Sequence, residues 1–173
     1  GVITGSQVCD AHTETRYGAV MIPRLVIVGF GNVGQALVRG AIASGIAAPS
    51  EIGAIDSDSQ RLAEARELGL RTVDARGAAA AETVVLAVKP QNFPAVAQSL
   101  GAVPASGPLV LSVMAGMRSA SIRDALGGGT RIVRTMPNTP AAVGRGITAI
   151  ASDAPVPEAD ILRAEQPFAS VGQ

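Results

Sequence analysis

The sequence has very few aromatic residues and no excess of either charge. Its 173 residues include no tryptophan, and the aromatic fraction is 2%, which leaves almost nothing on which nucleic-acid bases could stack. The 14 basic side chains are matched by 14 acidic ones, so no overall charge attracts the chain to nucleic acid or to anionic lipid. We therefore expect neither nucleic acid nor a membrane as a partner.

Cysteine and histidine occur once each. Cys9 by itself cannot form an internal disulfide or a zinc cage. A Ser–His–Asp triad or a histidine-ligated metal would have to be built on His12, which lies in a polar N-terminal stretch typical of a solvated side chain. The sequence therefore predicts no metal site, and it identifies no catalytic residue.

Long apolar runs are absent as well. No run approaches the roughly 18 residues that span a bilayer, and the N-terminus lacks the basic region and apolar core of a secretory signal. Apolar residues nevertheless make up 47% of the chain, which is enough for a core, and the length suits one domain. We expect a soluble, cytoplasmic protein.

Regular patterning begins abruptly at Met21. Residues 1–20 show no sustained period of 2 or 3.6, and we interpret them as an N-terminal extension that is either disordered or an ordered arm. From Arg24 onward, short β-branched runs alternate with segments of helical period. The predicted strands are 25–28, 52–55, 71–73, 83–88, 109–113, 131–135 and 146–150, and the predicted helices are 32–44, 59–68, 78–82, 93–100, 119–126 and one from about 157.

Strands that alternate with helices favour an α/β fold built on a mostly parallel sheet with helices on both faces. The first strand is followed by a G-x-G-x-x-G sequence, Gly29-Phe30-Gly31-Asn32-Val33-Gly34. Here Gly29 permits a tight turn, Gly31 admits a pyrophosphate close to the backbone, and Gly34 lets the helix pack against the strand. The amides that begin this helix would face the phosphates. The sequence thus predicts a Rossmann-like, doubly wound dinucleotide-binding domain over residues 21–173.

The second predicted strand leads into Asp56, where a carboxylate typically accepts hydrogen bonds from the adenine ribose of NAD. Ser57 follows it directly. Ser59 and Arg61 come next and would instead suit a 2′-phosphate, while Asp56 would also suit a turn or a helix N-cap. The choice between NADPH and NADH as cofactor therefore stays open.

Two more loops lie at the same carboxyl edge of the predicted sheet. Ala87-Val88-Lys89-Pro90 ends the central strand, and Lys89 would offer a positive charge to a ribose or to a substrate carboxylate. Ala115 and Gly116 end the next strand, and their small size would let a flat nicotinamide approach the backbone. The alternatives are a solvated lysine and an ordinary turn.

A third loop, Met136-Pro137-Asn138-Thr139-Pro140, is stiffened by its two prolines. Asn138 and Thr139 offer neutral hydrogen-bonding groups to a small polar ligand. A stiff connection without any ligand is the alternative interpretation of this loop.

The segments GFGNVGQAL, AVKPQ, SVMAG and RTMPNTP, in this order and spacing, closely resemble the pyrroline-5-carboxylate reductase family over about residues 21–173. The resemblance implies reduction of the C=N bond of 1-pyrroline-5-carboxylate by NADPH or NADH. The product is L-proline, in the last step of proline biosynthesis. Because a protonated cyclic imine accepts hydride directly, positioning serves this reaction better than a strong protein base.

The resemblance also implies a role for each loop. It implies that Gly29 to Gly34 hold the pyrophosphate and that Asp56 to Ser59 border the adenosine ribose. It also implies that Ala87 to Pro90 line the cofactor and that Ala115 and Gly116 flank the nicotinamide. Asn138 and Thr139 are implied to lie near the substrate.

Three features depart from the family pattern. Family members continue into a helical domain that dimerises and supplies much of the substrate site, and this chain stops about where that domain should begin. We therefore expect a chain that is inactive alone and is a monomer or a weak homodimer. Asp74 stands where the family commonly has asparagine, and Pro167 interrupts the last predicted helix. The alternatives are a nucleotide-binding module without turnover and another imine or β-hydroxyacid reductase.

Overall fold

The computed structural model describes residues 22–137, 148–151 and 156–166. These residues form a seven-stranded sheet between two layers of helices. In chain order the strands are β1 (Leu25–Val28), β2 (Ile52–Ile55), β3 (Arg71–Thr72), β4 (Thr83–Leu86), β5 (Leu109–Ser112), β6 (Ile132–Pro137) and β7 (Thr148–Ala151). The helices are α1 (Asn32–Ala43), α2 (Ser59–Glu67), α3 (Ala75–Ala80), α4 (Phe93–Leu100), α5 (Ser119–Leu126) and α6 (Glu158–Glu165).

The sheet has the strand order β3-β2-β1-β4-β5-β6-β7. The first six strands are parallel to their neighbours, and β7 runs antiparallel to β6. From β1 the chain first builds outward through β2 and β3, and then returns to build the other half through β4, β5 and β6. The reversal at β1 and β4 makes a topological switch point, and ligands bind outside the carboxyl ends of the strands at such a point.

The core consists of two apolar layers, one on each face of the sheet. The helices α1, α2 and α6 cover one face, where Leu37 and Ala65 pack with Ile27 of β1. The helices α3, α4 and α5 cover the other, where Phe93 and Ile122 are buried. All four residues of β1, β4 and β5 are buried, as expected for parallel strands covered on both faces. This confirms the predicted α/β fold class.

Some predicted boundaries are wrong. The helix predicted at 78–82 spans Ala75–Ala80, because the Asp74 carboxylate accepts a hydrogen bond of 3.0 Å from the Gly77 amide and starts the helix earlier. The strands predicted to reach residues 88 and 113 end at Leu86 and Ser112. The last predicted strand lies at Thr148–Ala151 and is antiparallel. Residues 1–20, and Pro167 with it, lie outside the described residues.

None of the helices in the described part of the chain has the length and the apolar composition needed to cross a bilayer.

Candidate functional site

Three loops meet where β1, β4 and β5 end. The strands are in register, with Val28 opposite Leu86 and Leu86 opposite Ser112. The parallel ladder continues one residue further, because the Ala87 amide donates to the Val28 carbonyl at 2.8 Å and the Val113 amide to the Leu86 carbonyl at 3.1 Å. The loops that follow these strands are therefore neighbours at one edge of the sheet.

Gly29 and Gly34 are required by the fold itself. Gly29 has φ +96°, a conformation that other residues rarely adopt, and a Cβ there would lie 2.6 Å from the Ala87 carbonyl oxygen. A Cβ on Gly34 would collide with the Gly29 carbonyl. These two glycines let the first loop, the start of α1 and the loop after β4 pack against one another.

Gly31 is different, because the protein leaves space around it. Its backbone is extended, with φ −81° and ψ −164°, which any residue can adopt. A Cβ on Gly31 would meet only the guanidinium of Arg61, with its nearest atom at 3.5 Å. The fold therefore does not need glycine at this position, and the empty space lies where a pyrophosphate would approach the backbone.

The N-terminus of α1 opens onto this space. Gly31 occupies the N-cap position without a side chain to cap the helix, and the first turn carries no acidic residue. Asn32 and Val33 are exposed. The first amides of a helix lack intrahelical partners and carry partial positive charge, so this end of α1 is chemically suited to a phosphate.

Asp56 lies beneath the loop rather than on its surface. Its side chain is 6% exposed, and its Oδ2 accepts a hydrogen bond of 2.7 Å from the Phe30 amide. Its Oδ1 accepts one of 2.9 Å from the Asp58 amide, and Oδ2 lies 3.6 Å from Nη1 of Arg61. The carboxylate thus ties the glycine loop to the start of α2, and Ser57 beside it is exposed. The N-cap of α2 is Asp58.

The loops after β4 and β5 place small or half-buried groups at the same edge. Ala87, Val88 and Pro90 are half-buried, and Lys89 is exposed. Ala115 and Gly116 are exposed above Met114, whose side chain is buried. Gly116 has φ +74°, so its conformation favours glycine. The loop after β5 thus exposes two small residues, Ala115 and Gly116, at the edge of the sheet that carries the glycine loop.

A polar groove of about 500 Å³ begins at Gly31 and runs between α1 and α2. Arg61 lines this groove. No motif contains Arg61, and the sequence indicated it only as an alternative ligand for a 2′-phosphate. The placement of the Arg61 guanidinium beside Gly31 has no signal in periodicity or motif spacing. The predicted substrate residues Asn138 and Thr139 lie outside the described residues. Within those residues, no group of three or more histidine, cysteine, aspartate or glutamate side chains could hold a metal.

The strand order, the glycine loop and the open end of α1 define a doubly wound, Rossmann-like domain of the class that binds dinucleotides. The family model described as "NADP oxidoreductase coenzyme F420-dependent" matches residues 24–116. The chain belongs to this family.

More particularly, the resemblance to pyrroline-5-carboxylate reductases is confirmed. The enzyme of that name from Pseudomonas aeruginosa is 36% identical over 153 residues, which cover 87% of this chain and 56% of that protein. The one from Vibrio alginolyticus is 32% identical over 152 residues, with the same coverage. The chain thus spans a little more than half the length of these curated relatives.

Solved structures show the same similarity. A pyrroline-5-carboxylate reductase from Coxiella burnetii matches with a TM-score of 0.79 and 32% identity, over 87% of this chain and 57% of that one. The Plasmodium falciparum pyrroline carboxylate reductase, solved with NADP bound, matches with a TM-score of 0.71. Its identity of 24% shows the shared fold alone.

Proposed function

We propose that the chain binds NADPH or NADH and supplies the cofactor-binding part of an enzyme that reduces 1-pyrroline-5-carboxylate to L-proline. The space above Gly31 carries the cofactor part of this proposal, because the fold leaves it open beside the uncapped end of α1. The similarity to reductases of that name over 87% of the chain supports the substrate.

Each loop has its own task in this proposal. The segment from Gly29 to Gly34 holds the pyrophosphate through the amides at the start of α1. Asp56 and Ser57 border the adenosine ribose. Ala87 to Pro90 line the cofactor, and Lys89 directs its positive charge toward a ribose or a carboxylate. The exposed residues Ala115 and Gly116 flank the nicotinamide, which their small size lets approach the backbone.

The main role of these residues in the proposed reaction is to position the nicotinamide and the imine. A nicotinamide held there would supply a hydride to the carbon of the protonated C=N bond, whose nitrogen already carries the proton that the product amine keeps. The chain orients that ring and the imine at contact distance, and Asn138 and Thr139 are the proposed contacts to the substrate. Orientation of two reactants can account for much of such a rate enhancement.

A titration of the chain with NADPH and with NADH, followed by calorimetry, tests the cofactor part. We expect saturable binding of at least one of them. If neither binds to a chain whose circular dichroism shows a folded α/β protein, the proposal fails.

Addition of 1-pyrroline-5-carboxylate to the same samples tests the substrate part, with NAD(P)H absorbance as the readout. From the sequence we expect binding without turnover by this chain alone. Turnover would show that these residues form a complete active site and would contradict that expectation.

A further inference from the structure

We propose that Arg134, assisted by Arg118, binds the carboxylate of the imine substrate beside the ends of β5 and β6. This inference rests on the proposed function and concerns the substrate end of that same site. It follows from positive charge that the chain places there without an acidic partner.

Charge is distributed unevenly along this neutral chain. Residues 83–152, which include β4 to β7, contain six basic side chains and one acidic side chain, Asp124. Asp124 is exposed on α5. Because the whole chain has 14 side chains of each sign, the half of the sheet from β4 onward carries a positive charge, which attracts anions.

At the amino edge of the sheet, basic side chains have acidic partners. Just before β6, Nη1 of Arg131 lies 2.7 Å from a carboxylate oxygen of Asp160. Just before β1, the Arg24 guanidinium lies 3.9 Å from Glu51 and 3.8 Å from Glu82. These positive charges are therefore compensated within the protein.

At the carboxyl edge the basic side chains are not compensated in this way. Lys89, Arg118 and Arg134 form no ion pair with any acidic side chain of the described residues. Among those residues the buried Nε of Arg134 has no hydrogen-bond partner. Its Nη2 donates to the thioether sulfur of Met136 at 3.7 Å, and a thioether is a weak acceptor. Buried donors usually have partners, so this guanidinium is suited to an anion from outside.

The two arginines lie next to the loop that follows β5. Arg134 is opposite Ser112, the last residue of β5, and its bond to Met136 directs the guanidinium toward the carboxyl end of β6. Arg118 occupies the N-cap of α5, two residues after Gly116. Both therefore border the small exposed residues that are proposed to flank the nicotinamide.

The start of α5 adds positive charge on the same face of the sheet. Ile132 packs in one apolar layer with Ile122 of α5, and Arg134 shares the face of Ile132 because strand side chains alternate. The first turn of α5 contains no acidic residue, and its amides carry partial positive charge. The helix α6, with the acidic Glu165 at its end, covers the other face.

The carboxylate of the proposed substrate is the anion that this position suits. Ligands of such sheets bind outside the carboxyl ends of the strands, and the imine has to lie against the nicotinamide there. A guanidinium holds a carboxylate through directional, charge-assisted hydrogen bonds. Holding the carboxylate would fix the orientation of the ring and thereby that of its C=N bond.

The test measures binding, so that it does not depend on turnover. Calorimetry first identifies the oxidised cofactor, NADP+ or NAD+, that the full chain binds. L-Proline and L-prolinamide, which carries a carboxamide in place of the carboxylate, are then titrated into the cofactor-saturated chain and followed by NMR of the protein amides.

The variants are Arg134→Gln, Arg134→Lys and Arg118→Gln. Arg118 is exposed, so its variant tests the proposal even if Arg134→Gln is poorly folded, which thermal unfolding shows. The control is Arg66→Gln, which removes the same charge from the last turn of α2.

We expect the unmodified chain and the Arg66→Gln control to bind L-proline at least about tenfold more tightly than L-prolinamide. Arg134→Gln should weaken L-proline binding at least about tenfold, and Arg134→Lys should restore part of the loss. Arg118→Gln should weaken it about threefold. Cofactor affinity should stay the same in all of them.

Three results would overturn the inference while leaving the proposed function intact. The first is equal affinity for L-proline and L-prolinamide, and the second is no binding of L-proline up to about 50 mM. The third is an equal loss in Arg66→Gln, which would assign the effect to overall charge. If neither cofactor binds, the proposed function fails and this inference fails with it.

Discussion

At the scale of single residues, the three glycines of the first loop are present for different reasons. Gly29 combines a positive φ with close contact to the Ala87 carbonyl, and Gly34 lies against the Gly29 carbonyl. Gly31 has neither constraint in the protein itself. The fold does not require glycine at position 31, which borders the open end of α1. The proposed reason for glycine there is therefore that a side chain would occupy the space of the bound phosphate.

This difference predicts opposite behaviour for two alanine substitutions. Gly31→Ala should change the free energy of unfolding by less than about 1 kcal/mol and lower nucleotide affinity at least about tenfold, because its methyl group enters the phosphate space. Gly29→Ala should destabilise the fold by about 2 kcal/mol or more, since the alanine would have an unfavourable positive φ and its Cβ would be too close to the Ala87 carbonyl. Urea denaturation and calorimetric titration measure the two quantities.

Gly128→Ala is the matched control for Gly31→Ala. A methyl group at Gly128 would meet no atom of the described residues within 4 Å, so both stability and nucleotide affinity should stay near those of the unmodified chain. Unchanged affinity in Gly31→Ala would remove the main support for a phosphate at this position.

At the scale of elements, most helices and strands follow from local sequence. The helices Phe93–Leu100 and Ser119–Leu126 and the strands Leu25–Val28 and Ile52–Ile55 have the predicted bounds, because their apolar spacing, and the glycine, proline or small polar residues near their ends, mark them in the sequence. The alanine-rich segment before β4 has no such spacing. Its start depends on one side chain, Asp74, and this signal was missed.

The site could be predicted only in part for the same reason. The glycine loop has a motif, so its position at the edge of the sheet followed from the sequence. The contacts of Asp56 with Phe30 and Arg61 join the glycine loop to α2. Phe30 and Asp56 are 26 residues apart in the sequence. Such long-range contacts depend on tertiary packing and have no local period.

Asp74 occupies a capping position that an asparagine would also suit. Asparagine and aspartate are about equally good N-caps, and the Asp74 carboxylate caps α3 through the Gly77 amide. The same hydrogen bond is the main cause that holds the pKa of Asp74 below its usual 3.8. The carboxylate form is therefore favoured in the folded state.

The lowered pKa predicts a dependence of stability on acidity. The contribution of Asp74 is complete above about pH 3.8, and it is lost as the pH falls through the lower pKa of the folded state. Asp74→Asn should keep the cap and show a smaller loss of stability below pH 4. Asp74→Ala should be less stable than both at neutral pH. The free energy of unfolding, measured in urea between pH 3 and 7, checks this; identical pH profiles for the parent and Asp74→Asn would contradict it.

At the scale of the whole molecule, one ion pair fastens α6 to the sheet. Nη1 of Arg131 donates to both oxygens of Asp160, at 2.8 and 2.7 Å, and Nη2 donates to the Gly107 carbonyl at 2.7 Å. The Asp160 side chain is 5% exposed. One guanidinium thus connects three segments that are distant in sequence.

Removing one partner of this pair should leave a buried charge without compensation. We expect Arg131→Met to lower the free energy of unfolding by about 2–4 kcal/mol. The double variant Arg131→Met/Asp160→Leu should recover part of that loss, because no charge is then left unpaired. Urea denaturation of the single and double variants gives the coupling energy, and additive effects would show that the pair contributes little.

The described surface also bears on assembly. Its exposed large apolar residues, Ile22, Val33, Met136 and Leu162, lie on separate segments, and single exposed apolar residues are normal on monomers. We expect a monomer or a weak homodimer in sedimentation velocity at micromolar concentration. A stable dimer or a larger assembly would contradict this expectation.

The position of β1 has a consequence for synthesis. Among the seven strands of the described sheet, this strand leaves the ribosome first, yet it lies inside the sheet, between β2 and β4. Its pairing with β4 joins Leu25 to Thr83, so one of its edges has no partner until β4 has been translated. Contacts this distant in sequence form slowly, and an unpaired apolar strand favours aggregation. The nascent chain is therefore most vulnerable to aggregation after the glycine loop has been synthesised and before β4, the partner of β1, has been synthesised.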